Sequence, residues 1–214
     1  MKKILLVITG FVFIISCTLT AAYAKDISGK SGLGIGLGYI SPKDSDVDSG
    51  MISNINYTRG ISSNFSIEIS VGRTVLNSKI DGNIDLGEIT VMPLQLTAQY
   101  RIPSGKFSPY CGAGIGYYMN DFDTSNEVVA YWRLFTGDFG DTFKVEIDNS
   151  FGFHINAGFD YFLKDNFAIG LDARYLWSEA DITLKYTAVG IPGSESDKGD
   201  IDSFAIGAVI KYFF

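Results

Sequence analysis

The chain has 214 residues, with 17 Lys and Arg against 24 Asp and Glu, for a net charge of −7. That balance argues against a nucleic-acid partner and against a basic surface for anionic lipid, and the length suits a single domain. After residue 24 no apolar run approaches the ~20 residues of a spanning helix, so any membrane crossing must be made with strands.

The chain opens on Lys2-Lys3, runs through an apolar stretch from Ile4 to Ile15 broken only by Thr9 and Gly10, and reaches Ala22-Tyr23-Ala24. A basic start, an apolar centre and an A-x-A site predict a cleaved signal peptide over 1–24 and a single domain over 25–214. Ile14-Ile15-Ser16-Cys17 also reads as a lipobox, but an integral barrel has no use for an acyl tether, so ordinary cleavage is the expectation. Cleavage removes two basic residues and no acids, taking the charge from −7 to −9. It leaves Cys111 alone, hence no internal disulfide in an oxidising compartment.

Eight strands follow. The first, 31–41, sets Leu33, Ile35, Leu37 and Tyr39 against Gly32, Gly34, Gly36 and Gly38. The second, 50–60, sets Ile55 and Tyr57 against Asn54, Asn56 and Thr58; the third, 64–76, sets Phe65, Ile67, Ile69 and Val71 against Ser66, Glu68, Ser70 and Gly72. The fourth, 89–102, alternates Leu94, Leu96, Ala98 and Tyr100 with Gln95, Thr97, Gln99 and Arg101. The fifth, 109–120, places Cys111, Ala113, Ile115 and Tyr117 opposite Tyr110, Gly112, Gly114 and Gly116. The sixth, 150–163, opposes Phe153, Ile155 and Phe159 to His154, Asn156 and Asp160. The seventh, 166–186, opposes Ile169, Leu171, Tyr175 and Trp177 to Gly170, Asp172 and Arg174, and outruns a bilayer. The last alternates Phe204, Ile206, Ala208, Ile210 and Tyr212 up to a terminal Phe214.

Such period-two segments, apolar on one side and polar on the other, predict an all-β fold: an eight-stranded antiparallel transmembrane β-barrel with lipid outside and a lumen within. A soluble sandwich or lipocalin would put its charges on the outer face instead. Ile61–Ser63, Pro103–Ser108 and Lys164-Asp165 read as short periplasmic turns, and 42–49, 77–88, 121–149 and 187–199 as long extracellular loops. Tyr39, Tyr57, Tyr117, Trp177 and Tyr212 fall near the expected interfaces, where aromatic girdles sit. The expected location is a Gram-negative outer membrane, with lipid and lipopolysaccharide around the barrel and the assembly machinery reading Phe214.

Two stretches carry a family resemblance. Met92-Pro93-Leu94-Gln95 running into Gln99-Tyr100-Arg101-Ile102, then Lys106-Phe107-Ser108-Pro109-Tyr110-Cys111-Gly112-Ala113-Gly114-Ile115-Gly116-Tyr117, resembles the OmpW outer-membrane family. So does Asn156-Ala157-Gly158-Phe159-Asp160-Tyr161, followed by Asp165-Asn166-Phe167 and Leu171-Asp172-Ala173-Arg174-Tyr175. The resemblance implies an eight-stranded barrel that passes small, mostly hydrophobic molecules.

The lumen-facing residues sort by height. Glu68, Arg101, Asp160 and Lys211 lie near the periplasmic end, with Asp172 and Arg174 above them, and their charges cancel. Charges in so narrow a space must pair, so these six predict a cross-linked plug; an ion pore would want one sign in excess. Higher up, Ile40, Val91, Pro93, Tyr118, Leu176 and Ala205 face inward with His154, predicting either an apolar pocket open to the outside or ordinary filling of a small barrel. Pro93 lacks an N–H, so it predicts a gap in the wall through which a solute leaves sideways, or else a harmless bulge. The glycines of the first and fifth strands face each other across the lumen and predict space filled by Arg and Glu side chains.

Other constellations are weaker. His154 is the sole histidine and Ser150 stands roughly 13 Å along the same strand, too far for a nucleophile–base pair, so no enzyme is predicted. Asp44-Ser45-Asp46-Val47-Asp48-Ser49-Gly50 fails as a calcium loop, with Ser49 at its sixth position and Ile55 at its twelfth, and no metal or cofactor is expected. These acids, with Glu195, Asp197, Asp200 and Asp202, predict a solvated rim that bridges divalent cations to lipopolysaccharide. Val128–Phe135 is apolar for a loop and reads as a short helix or hairpin lid over the mouth, or as a segment packed on the rim. The leading expectation is a monomeric channel for small hydrophobic solutes; the alternative is a sealed structural or adhesive barrel acting through its loops.

Overall fold

The computed structural model describes residues 26–44, 46–80, 84–102, 104–137 and 140–214. The leader and cleavage site read over 1–24 lie outside the described residues, as does Pro103. The elements are β1 (Ser31–Pro42), β2 (Gly50–Gly60), β3 (Phe65–Ile80), β4 (Ile84–Arg101), β5 (Phe107–Thr124), α1 (Asn126–Thr136), β6 (Phe143–Ile147), β7 (Ser150–Lys164), β8 (Phe167–Ala188), β9 (Ile191–Asp200) and β10 (Ser203–Phe213).

Eight of these strands form a closed antiparallel barrel. Each of β1 to β4 pairs with the next, β5 with β7, β7 with β8, β8 with β10, and β10 returns to β1 from Gly32↔Phe213 to Pro42↔Ser203. Closure leaves the wall no open edge, as a lipid-embedded sheet requires. The alternation fixes which way each strand faces, because slipping one residue would turn every apolar side chain inward. Ile35, Ile55, Phe153 and Ile210 are thus exposed to the membrane, while Asn56, Glu68, Gln99 and Asp160 are buried in the lumen.

The extracellular side differs from the sequence reading in three places. The stretch 77–88 is mostly strand: β3 continues to Ile80 and β4 begins at Ile84, with a one-residue register shift at Ser78/Lys79. Asp, Ser and Gly suggest a loop there, but above the bilayer a strand needs a partner more than an apolar face. The stretch 121–149 holds α1 and β6, so Val128–Phe135 is helical. The stretch 187–199 is largely β9, which pairs with the upper part of β8 from Glu179↔Asp200 to Ala188↔Ile191. Together with β6 on the other side of β8, it forms a three-stranded extracellular sheet.

This outer lobe has its own core and clamp. Ser125 caps α1 by accepting from Val128 N, and Gly137 ends it in a left-handed conformation. Trp132 packs against Phe135, Phe143 and Tyr186 and donates Nε1–H to Thr187 O at 2.8 Å. The β8–β9 turn has positive φ at both Val189 (52°) and Gly190 (73°), as a two-residue hairpin of this twist demands. Valine resists that conformation, and the buried carboxylate of Asp141 holds it by accepting from Val189 N at 2.9 Å and Gly190 N at 3.2 Å.

Candidate functional site: the lumen and its extracellular cavity

The lumen is layered from the periplasmic end upward. Its floor is apolar: Ile27, Phe162, Ala168 and Phe213 are buried together, with the two phenylalanine rings 5.5 Å apart. The segment before β1 seals against the barrel through Gly29 N to Gly60 O, and Gly60 is required there because a Cβ would lie 1.9 Å from Ile27 O. Sequence reading missed this floor. Phe213 and Phe162 continue the inward faces of Lys211 and Asp160 in unbroken alternation, but two aromatics at the strand ends carry no sign of their own that they close the lumen.

Above the floor the six charged residues form one continuous network. Arg101 Nη1 meets Asp160 Oδ2 at 2.6 Å, and Lys211 Nζ lies 3.3 Å from Asp160 and 3.4 Å from Glu68. Arg174 joins Glu68 at 3.4 Å and Asp172 at 3.5 Å. Several further donors and acceptors are met by residues the sequence reading had left in the background, while Asp160 Oδ1, Gln99 Nε2 and Asn156 Oδ1 are buried without a hydrogen bond among the described residues. Arg101 also donates to Ser66 and Gln99, Glu68 accepts from Thr58, and Asp172 accepts from Asn156 and Tyr110. The Tyr110 ring lies 4.8 Å from the Arg101 guanidinium and 5.2 Å from the Lys211 ammonium. Asp160 and Arg101 are essentially unexposed, so each depends on its partner for compensation.

The facing glycines make the room for this packing, though the fillers are not Arg and Glu. A Cβ at Gly34 would meet Asn56 and Lys211, one at Gly112 would meet Asn156 and Gln99, and one at Gly114 would lie 2.7 Å from the His154 ring. Short amides, a lysine stem and the imidazole occupy the space. A small cavity of about 70 Å³ lies against the network, lined by Glu68, Asp172, Arg174 and Lys211 together with Gln95, Pro93 and Ala205.

Tyr118 and Leu176 are buried at the height between this cavity and the next. The Tyr118 hydroxyl accepts from Gln95 Nε2 at 2.9 Å, and Gln95 Oε1 in turn accepts from Arg174 Nη1. His154 lies in the same packed region with Nε2 2.8 Å from Thr97 Oγ1. Its Nδ1 has no partner among the described residues, so no carboxylate orients the ring, and Ser150 bonds Ser178 instead.

The large cavity lies higher, at about 370 Å³, and much of its wall is extracellular. Ile40 and Val91 line it from the barrel rim with Leu76 and Phe122, while Phe143, Val145 and Ile147 of β6 and Ile182 and Leu184 of β8 close it over. Of the seven residues read as a pocket, Ile40 and Val91 line this cavity, Pro93 and Ala205 line the smaller one below, and Tyr118, His154 and Leu176 fill the packed layer. The wall contributed by β6 and upper β8 escaped the sequence reading, although Phe143-Lys144-Val145-Glu146-Ile147 alternates like any strand. At the rim Asp202 accepts from Lys43 at 3.3 Å and holds that amine above its ordinary pKa.

Pro93 interrupts the wall. Between β3 and β4 the pairing runs to Val71↔Leu94 and resumes at Thr74↔Val91, omitting Gly72 opposite Pro93 and Arg73 opposite Met92. The register is the same on both sides, so the interruption is not a bulge: the absent Pro93 N–H removes one bond of the ladder, while Pro93 still packs beside Gly72, where a Cβ would lie 3.2 Å from Pro93 Cγ. On the other flank Pro93 pairs with Tyr118 in unbroken register.

Comparison with known proteins agrees with this architecture. A family model described as "Outer membrane protein beta-barrel domain" matches residues 9–212. The chain is 27% identical over 167 residues to the uncharacterized outer-membrane protein y4mB of Sinorhizobium fredii, covering 77% of this chain and 66% of that protein. It is 27% identical over 178 residues to outer membrane protein W of Vibrio cholerae, covering 82% of this chain and 69% of that one. The chain therefore spans about two thirds of the length of either relative. The crystal structure of the outer membrane protein OprG from Pseudomonas aeruginosa superposes with a TM-score of 0.74 at 19% identity, over 90% of this chain and 99% of that one. This chain belongs to the outer-membrane β-barrel family and is similar to its outer membrane protein W members.

Proposed function

We propose that the protein admits small hydrophobic molecules from outside into the extracellular cavity and releases them sideways into the bilayer at Pro93. The ladder bond lost at Pro93 carries this reading. Lipid cannot replace the bond that Pro93 fails to make, so Gly72 O is left without its ladder donor at membrane depth, a weak point in the wall that suits passage. The straight route is obstructed by the charged network and the apolar floor, which act together as a plug. Val91 lines the upper cavity and Pro93, two residues below it on β4, lines the smaller one, so a solute on this route passes the layer of Tyr118 and Leu176 between them. Catalysis forms no part of the reading, because the one histidine is packed against a threonine with no orienting acid.

The test is uptake of a hydrophobic fluorophore into proteoliposomes by the wild type and by Pro93→Val. Restoring an N–H is expected to close the ladder and cut uptake severalfold; unchanged uptake would refute the lateral route. A second reading, a sealed barrel acting through its loops, draws on the ordered outer lobe, where Leu134, Phe135, Val189 and Ile191 are each at least 70% exposed. No uptake above empty liposomes by either protein would favour it.

A further inference from the structure

We infer that Arg73 and Ser53 hold a phosphate of an outer-leaflet lipid on the membrane side of the barrel wall. The inference stands apart from the uptake reading, since it concerns the outer surface of the wall and not the lumen. Arg73 is exposed in the outward register of β3, while Gly72 and Thr74 on either side of it are buried toward the lumen. Around it on the same face lie Val71, Val75, Met51 and Met92, all exposed to the membrane. Ser53, directly across on β2, is the other polar side chain at this spot, and it too is exposed.

Neither Arg73 nor Ser53 has a side-chain partner among the described residues. The cations higher up are engaged: Lys79 meets Asp48, Lys43 meets Asp202, and Lys144 and Lys185 meet Glu146. A guanidinium has five N–H donors, and acyl chains offer it no acceptor. The nearest anions on this face are head-group phosphates, which a guanidinium grips through two parallel N–H bonds while the hydroxyl across the rung supplies another donor. A second outward arginine fixes the depth. Ser53, opposite Arg73, lies six residues from Arg59 on β2, about 20 Å along the strand and about 15 Å along the membrane normal at a ~40° tilt. Two long side chains reaching away from each other therefore bracket an apolar band of about 25 Å, one per leaflet. The periplasmic one is already tied down, with Arg59 Nη1 donating to Ser31 Oγ at 3.0 Å and that oxygen bonded to the Tyr57 hydroxyl at 2.9 Å. Arg73, at the extracellular end, is left for lipid. Its neighbour Gly72 stands opposite Pro93, so the bound lipid flanks that part of the wall.

The test uses the full-length protein in maltoside micelles, which carry no phosphate. Lipid A and the same lipid stripped of its phosphates are titrated separately, and retained lipid is read by native mass spectrometry. The wild type is expected to favour the phosphorylated form roughly tenfold, the effect of one charge-assisted contact. Arg73→Met should abolish that preference, Arg73→Lys should keep part of it, and Ser53→Ala should weaken it. A methionine at 73 joins Met51 and Met92 on the lipid face, so the variant is expected to fold, as heat-modifiable gel migration checks. Equal retention of both forms by the wild type, or a preference untouched by Arg73→Met, overturns the inference. A preference lost in Arg59→Met instead places the phosphate at the periplasmic arginine and overturns it as well. Displacement of the lipid by millimolar inorganic phosphate assigns the site to a soluble anion and overturns the lipid claim. Uptake beside Pro93 is measured separately and stands or falls on its own.

Discussion

Asp160→Asn is the sharpest perturbation of the lumen. The substitution keeps the shape but removes the negative charge that meets Arg101 at 2.6 Å and Lys211 at 3.3 Å, at a site with 0% side-chain exposure. Breaking a buried pair by removing one partner costs about 3–5 kcal/mol, because the remaining charge has no water to turn to. Here the remaining charges are two cations with Glu68 left between them, so the upper part of that range applies to the unfolding equilibrium, about three to four powers of ten. The assay is urea unfolding of the vesicle-refolded barrel, followed by heat-modifiable gel migration. Arg101→Met/Asp160→Leu should recover much of the loss, since a packed apolar pair of similar volume is nearly neutral in place of a buried ion pair. A single-variant cost below about 1 kcal/mol, with the double variant equal to the sum of the singles, would show that the network does not hold the lumen shut.

Two further predictions concern the outer lobe. Trp132→Ala removes three ring contacts and the bond to Thr187 O, an expected local loss of about 2 kcal/mol. External protease should then cleave within 121–149 at a raised rate while barrel migration stays unchanged. Asp141 is held below the usual carboxylate pKa by a hydrogen bond from Thr136 first, then by the N–H groups of Val189 and Gly190, against the opposing effect of burial. Its contribution to the lobe is therefore fully present above the unfolded value near 3.8 and is lost as pH falls through the lower folded value. Trp132 fluorescence in a Trp177→Phe background should report that acid transition, and Asp141→Asn should abolish its pH dependence.

The barrel was legible because the bilayer imposes a strict rule on every wall residue. Leu33, Ile35 and Leu37 against Gly34 and Gly36 admit one orientation, and so do the other wall strands. The charged network was legible for a related reason, since Glu68, Arg101 and Asp160 sit on inward positions where only pairing makes them tolerable. What escaped was whatever depends on partners more than on pattern. β9 is almost wholly exposed and polar, so Ser194-Glu195-Ser196-Asp197 carries no period of its own and is a strand only because β8 continues beside it. The outer wall of the large cavity escaped likewise, because Phe143, Ile182 and Leu184 are brought over the rim by pairings outside the membrane. Pro93 could be read as an interruption, but only the unchanged register on either side separates a lost ladder bond from a bulge.

A paired recording on the same lipid mixture tests the central claim most directly: steady ion conductance across a planar bilayer, beside uptake of an uncharged hydrophobic fluorophore by proteoliposomes. A lumen closed from below and open at its flank predicts uptake well above protein-free vesicles, with conductance at the bare-membrane level. Ion current that rises in step with uptake would contradict it, because solute would then be crossing through the floor.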